Sequence, residues 1–168
     1  MRRLVLFSAL TLHGLPAAAQ TRGMGVSLAA GTGLELGNGG GDEALTARSP
    51  LFIDVAARTW TDEEPRWSWG GSLRIEVEGR ASVAIVPRVD LERQLGPVTL
   101  RPSAGLPLFF APFTMFGLEA GVTGRLPIGG KLGVLATLQA DAFVIGSDVP
   151  RDSAVLMFNG LIGVELGI

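Results

Sequence analysis

The chain has no cysteine and no tyrosine, and only one lysine and one histidine among 168 residues. Without cysteine there are no disulfides, thiolate metal sites or thiol nucleophiles. The histidine, His13, sits in a segment that reads as removable. Met1-Arg2-Arg3 is a basic start, Leu4 to Pro16 is apolar but too short to span a bilayer, and Ala17-Ala18-Ala19 supplies small residues for cleavage before Gln20. Residues 1–19 are therefore read as a Sec-type signal peptide and 20–168 as one β-barrel domain. Cleavage would take Arg2, Arg3 and His13 and no acid, leaving 149 residues with 12 basic and 16 acidic groups, a net charge of −4. A chain without histidine or cysteine lacks the usual general base and the commonest metal ligand. Its acidic balance gives no electrostatic reason to bind nucleic acid. Gly37 to Gly41 lacks GxGxxG spacing, and Gly129-Gly130-Lys131-Leu132 lacks the other residues of a phosphate loop, so both read as turns. Neither a catalytic residue, a cofactor site nor a metal site is expected.

What the sequence does contain is alternation. Stepping by two from Leu132 gives Leu132, Val134, Ala136, Leu138, Ala140, Ala142 and Val144, and the interleaved positions are mostly polar or small. The pattern recurs over Met24 to Leu36, Leu51 to Thr59, Trp67 to Val77, Val83 to Leu95, Val98 to Phe110, Phe116 to Leu126 and Leu156 to Ile168. Period two means strands, because a helix needs apolar residues three and four apart. Charge is read on one parity only: Glu35, Asp54, Arg58, Arg74, Glu76, Arg88, Asp90, Glu92, Arg101, Glu119, Arg125, Asp141 and Glu165.

Alternation alone does not say which face is inside, since a soluble sandwich or lipocalin-like barrel also alternates. Three features favour apolar outside. Most segments run eleven to fourteen residues, against ~5–6 for soluble strands and ~9–11 for a tilted membrane crossing. The polar faces are rich in Gly and Ala, as a narrow eight-strand interior requires, not in the long side chains that coat a soluble sheet. The aromatics group toward strand ends, with Trp60, Trp67 and Trp69 about one connection and Phe52, Phe109, Phe110, Phe113, Phe116, Phe143 and Phe158 toward the other end, which reads as two interfacial girdles.

The connections divide in the same way. Thr61 to Pro65, Gly96-Pro97 and Ile128-Gly129-Gly130 are short, whereas 37–50 and 146–153 are long and polar. A further turn is inferred at Gly79-Arg80-Ala81, because an unbroken strand from Trp67 to Leu91 would reach roughly 80 Å at ~3.3 Å per residue. Pro87 and Pro102 each remove a ladder donor inside a strand, and a bulge or seam is expected at each.

Over Met24 to Ile168 the chain resembles the small eight-stranded outer-membrane barrels of the OmpA transmembrane domain and OmpX type. The resemblance rests on strand pattern, leader and the alternating last strand, Phe158, Ile162, Val164, Leu166 and Ile168, where Ile168 stands in place of the family's terminal aromatic. It implies an all-β, antiparallel up-and-down transmembrane barrel in the outer membrane, in contact with lipid and lipopolysaccharide and inserted by the barrel-assembly machinery.

Such a lumen must hold its charges as a salt-bridge network. Arg74, Arg88 and Glu119 are expected in a central layer, with Arg101, Arg125, Glu92 and Glu165 toward the periplasm and Glu35, Asp54, Glu78 and Asp141 toward the outside. The expected role is non-catalytic, structural or envelope-interacting, with surface partners reached through loops 37–50 and 146–153. Two alternatives stand beside it, a narrow small-solute or ion channel and a soluble periplasmic binding module. Asp90 and Glu92 could in principle do acid–base work, but the family's enzymes rely on a histidine that the processed chain lacks. The loop acids Asp42, Glu43, Asp148 and Asp152 could hold a weak Ca²⁺, with solvated loop charge the simpler account.

Overall fold

The computed structural model describes residues 21–38, 44–62, 65–78, 81–149 and 154–168. The leader at 1–19, the loop acids Asp42, Glu43 and Asp152, and the centre of the Gly79-Arg80 turn lie outside the described residues. The strands are β1 (Thr21–Asn38), β2 (Ala44–Arg48), β3 (Phe52–Thr61), β4 (Arg66–Glu76), β5 (Val83–Leu95), β6 (Val98–Gly105), β7 (Leu108–Ala111), β8 (Met115–Gly129), β9 (Leu132–Gly146) and β10 (Val155–Gly167). Each long strand pairs antiparallel with its sequence neighbour, and β1 pairs with β10 from Gly25↔Gly167 to Leu36↔Leu156, which closes the sheet. Closure removes the free edges that an open sheet would present.

The wall is eight strands around, because β7 continues β6 past a break at Leu106-Pro107 and β2 continues β3 along the same edge of β1, with Leu34 opposite Arg48 beyond Gly31 opposite Phe52. The apolar parity faces out: Ile162 is 73% exposed, Leu138 68% and Leu118 63%, while Arg74 is 2% and Asp141 1% exposed. Burial on this fold is the inverse of a soluble sandwich, whose apolar face would form the core. One cation departs from the single-parity reading, because Arg93 shares the outward face of Leu91 and Leu95 and is exposed beside the Gly96-Pro97 hairpin.

The turns follow glycine geometry. Gly96 has φ +59°, which lets a two-residue hairpin join Leu95 to Val98. The β8–β9 turn falls one step later than expected, with Gly129 opposite Leu132 and Gly130 at φ +53°. The β4–β5 connection is wider than three residues, since Glu76 N–H donates to the Ser82 carbonyl and the strands separate beyond that pair.

Pro87 and Pro102 both open the same ladder. β4–β5 runs without a break through Gly71↔Pro87, and β6–β8 runs through Pro102↔Val122. Between β5 and β6, pairing stops at Asp90↔Ser103 and resumes at Arg93↔Leu100, and it lapses again between Arg88↔Gly105 and Ile85↔Leu108. Leu106 N–H still donates to the Pro87 carbonyl at 3.0 Å. Each proline thus turns its missing donor toward this one seam, with the register conserved across both interruptions.

The interior has two compositions. Toward the long loops, Phe109, Phe143, Met115, Met157, Val155 and Ala84 pack as a buried apolar plug, with Phe109 and Phe143 edge to face at 5.5 Å. Phe109 and Phe143 are therefore not girdle residues. They share parity with Arg101 and Asp141 and point inward, where an apolar layer excludes water better than more charge would. Trp60 likewise points inward, half-buried, with Arg58 over its ring. Trp67, Trp69, Phe110, Phe116 and Phe158 are exposed on the outer surface.

Candidate functional site

Below the plug the lumen is polar, and its ions fall into two groups. In the first, Arg74 on β4 reaches Glu119 on β8 at 2.7 Å, Asp141 on β9 at 3.3 Å and Asp54 on β3 at 3.6 Å. Arg88 on β5 meets Glu119 at 2.6 Å and Asp54 at 3.8 Å. Amides complete the group, with Gln139 and Asn159 each donating to Asp141 Oδ2 at 3.1 Å and Ser72 donating to Asp54 at 2.9 Å. Gly105 makes room for it, because a Cβ there would lie 3.1 Å from Glu119 Oε1. The ring of Phe52, also inward, lies 4.9 Å from the Arg74 guanidinium.

The second group surrounds one carboxylate. Glu165 on β10 accepts from Arg58 at 2.9 and 3.0 Å and from Arg101 at 2.7 and 3.2 Å, and Arg125 lies 2.9 Å away. Glu92 pairs with Arg58 at 2.6 Å and lies 3.8 Å from Arg101 and 3.6 Å from Arg66 at the rim. Asp90 lies between the groups, buried, and accepts from Ser68 at 3.1 Å. Such pairs repay their desolvation only through multiple short contacts, and bidentate guanidinium geometry supplies them.

The expected layers are thus redrawn in part. Arg74, Arg88 and Glu119 do come together, but Asp54 and Asp141 belong to that same layer and not to a separate outer one. Arg58 joins Arg101, Arg125, Glu92 and Glu165 at the hairpin end. Glu76 is buried and accepts a short hydrogen bond from Ser82, and Glu35 lies half-buried. Glu78 belongs to the loop surface, where it accepts from Leu51 N–H at 3.0 Å and pairs with Arg48. The Leu51 amide and the Arg48 guanidinium hold its carboxyl below the ordinary range.

Between the ion groups is a void of about 60 Å³, lined by Asp54, Arg58, Asp90, Arg101 and Glu165 among others. At the hairpin end the lumen opens into a basin of about 250 Å³, bounded by Trp60, Arg66, Arg125 and Lys131. Among the described residues no group of three His, Cys, Asp or Glu side chains is placed to hold a metal ion. Sequence reasoning missed the plug and the inward Trp60 because it used position along the strand; parity with Asp141, Arg101 and Arg58 was the signal available.

Closure, strand number and the outward apolar face define the fold of the small eight-stranded outer-membrane barrels. Neisserial surface protein A has that fold, matching with a TM-score of 0.53 at 11% identity over 85% of this chain and 96% of its own. Ail, the attachment invasion locus protein of Yersinia pestis, solved with the heparin analogue sucrose octasulfate, aligns at 14% identity and a TM-score of 0.43 over 87% and 99%. No protein-family model matches the sequence. Leucine–tRNA ligases of three Mycobacterium strains, KMS, JLS and MCS, are 28% identical over 95 residues, 49% of this chain, which spans only 10% of their length.

Proposed function

We propose that this chain is an integral outer-membrane barrel, exported by the leader at residues 1–19, with a non-catalytic role in the envelope exercised through its long loops, 37–50 and 146–153. The observation that carries the membrane reading is the inversion of burial, an apolar wall with residues such as Ile162, Leu138 and Leu118 more than 60% exposed around a charged lumen. Water would penalise that wall by ~25 cal/mol for each Å² of apolar surface, and a bilayer removes the penalty. The likeness of fold to a neisserial surface protein supports the same placement. The short turns then face the periplasm and the long loops the exterior, with lipid and lipopolysaccharide as immediate neighbours.

The channel alternative is disfavoured by two obstructions in series. The Phe109–Phe143 plug packs across the outer half and interlocked ion pairs occupy the middle, with only about 60 Å³ of space between the groups. A conducting path needs continuous water. The lack of histidine in the processed chain argues against hydrolytic chemistry.

The test is electrophoretic mobility of the processed protein from a membrane fraction, with and without boiling in detergent, followed by planar-bilayer recording. A heat-dependent shift without reproducible conductance steps is expected. Recovery in the soluble periplasm with no shift would overturn the membrane reading, and discrete steps would establish the channel.

A further inference from the structure

The two ion groups are unequal in charge. Around the first, Arg74 and Arg88 face Asp54, Glu119 and Asp141. The basin at the hairpin end reverses the balance, because Arg58, Arg66, Arg125 and Lys131 line it against only Glu92 and Glu165. Those two carboxylates are already engaged: Glu165 takes Arg58, Arg101 and Arg125 together, and Glu92 takes Arg58 with Arg66 and Arg101 farther off. Lys131 makes no ion pair among the described residues, and its carbonyl accepts from Arg125 Nη2 at 3.2 Å, which draws that guanidinium toward the rim. Gly133 lets Arg125 lie against the wall, since a Cβ there would come within 2.8 Å of its Nε. The side chains lining the basin carry an excess of two positive charges.

We propose that this basin binds a small, multiply charged phosphate-type anion. A multiply charged anion answers the excess of cationic side chains and can reach several of them at once in this half-enclosed site. Planar guanidinium forks and an ammonium converging on one volume are the chemistry that recognises tetrahedral oxyanions. About 250 Å³ admits a phosphate or pyrophosphate but no large polymer. Trp60, beneath Arg58 at the same mouth, places a fluorescent ring beside the bound anion.

The source is either a soluble phosphate compound or the headgroup of a phosphomonoester lipid, and the rival is the chain's own acidic turn, Asp62, Glu63 and Glu64. Trp67→Phe with Trp69→Phe leaves Trp60 as the sole reporter, since both replaced rings lie on the outer wall. The refolded barrel in zwitterionic micelles is titrated with pyrophosphate at constant ionic strength, against chloride. A saturable change in Trp60 emission is expected with pyrophosphate alone. Arg66→Gln with Lys131→Gln, both at exposed rim positions, should weaken it by about tenfold or more. An unsaturable response, one equalled by chloride, or one unaltered by the rim substitutions overturns the proposal. So does binding that appears only after Asp62→Asn, Glu63→Gln and Glu64→Gln, for then the turn already satisfies the mouth. In phosphatidylcholine nanodiscs, competition by added phosphatidic acid assigns the site to a lipid headgroup, and pyrophosphate binding unaffected by it assigns the site to a soluble anion. The micelle titration reads the basin whichever way the barrel is inserted, so its failure is distinct from failure of the membrane reading.

Discussion

Arg58 lies over the ring of Trp60, its guanidinium carbon 5.0 Å from the ring centroid, and both side chains point into the barrel from the same face of β3. The neighbouring Trp67 and Trp69, one short turn later, are 47% and 42% exposed on the outer wall. In bilayers of brominated lipid, single-tryptophan variants keeping Trp67 or Trp69 should be quenched and the variant keeping Trp60 should not. Equal quenching of all three would place Trp60 on the lipid face and contradict its orientation.

Three guanidinium groups, those of Arg58, Arg101 and Arg125, each come within 2.9 Å of Glu165. Glu165→Gln keeps the shape but takes the acid from Arg125 and leaves Arg58 and Arg101 to share Glu92, and breaking a buried pair costs about 3–5 kcal/mol. The urea midpoint for loss of the compact electrophoretic form should fall accordingly. A midpoint within error of the parent would mean that water reaches these arginines freely.

The proline seam makes the β5–β6 ladder the place where the wall is least paired. The amide of Leu91, which faces the gap opposite Pro102, should exchange with deuterium faster than those of Ile162 to Glu165 in the continuous β1–β10 ladder. Uniform protection around the barrel would show that the interruptions carry no local weakness.

Phe143 is fully buried at the centre of the plug. Phe143→Ala should destabilise the barrel by about 3–5 kcal/mol through the cavity it leaves, read as a lower thermal transition of the compact band. Its bilayer recordings should stay silent, because the ion groups still obstruct the lumen. Conductance in this variant alone would identify the plug as the sole barrier.

Glu78, held below the ordinary carboxylate range by Leu51 N–H and Arg48, links the first and second outer connections. A depressed folded value gives stabilisation that is present above the unfolded value, 4.5, and lost as pH falls through the folded one. Proteolysis at loop 37–50 should accelerate as pH is lowered through that window, using an acid-tolerant protease. Glu78→Gln should remove the pH dependence at this site, and an unchanged pH profile would sink the linkage.

Strand type, number and the sign of each face were legible because period-two alternation is local, and fourteen-residue runs with charge on one parity leave few other folds. The same parity also carried Phe109, Phe143 and Trp60 inward, yet their position near strand ends suggested the membrane interface. Hydropathy at a strand end does not reveal whether the facing strands present charge or hydrocarbon across the lumen, and that is set by shear between distant strands. The pairing of Arg74 with Glu119 and Asp141, or of Arg58 with Glu165 across 107 positions, is likewise a product of closure. Sequence by itself determined an apolar-out barrel with a charged interior. Only the tertiary structure decided which charges meet, that both prolines open one ladder, and that phenylalanines pack inside the lumen toward the long loops, because each depends on how eight strands are staggered when the sheet closes.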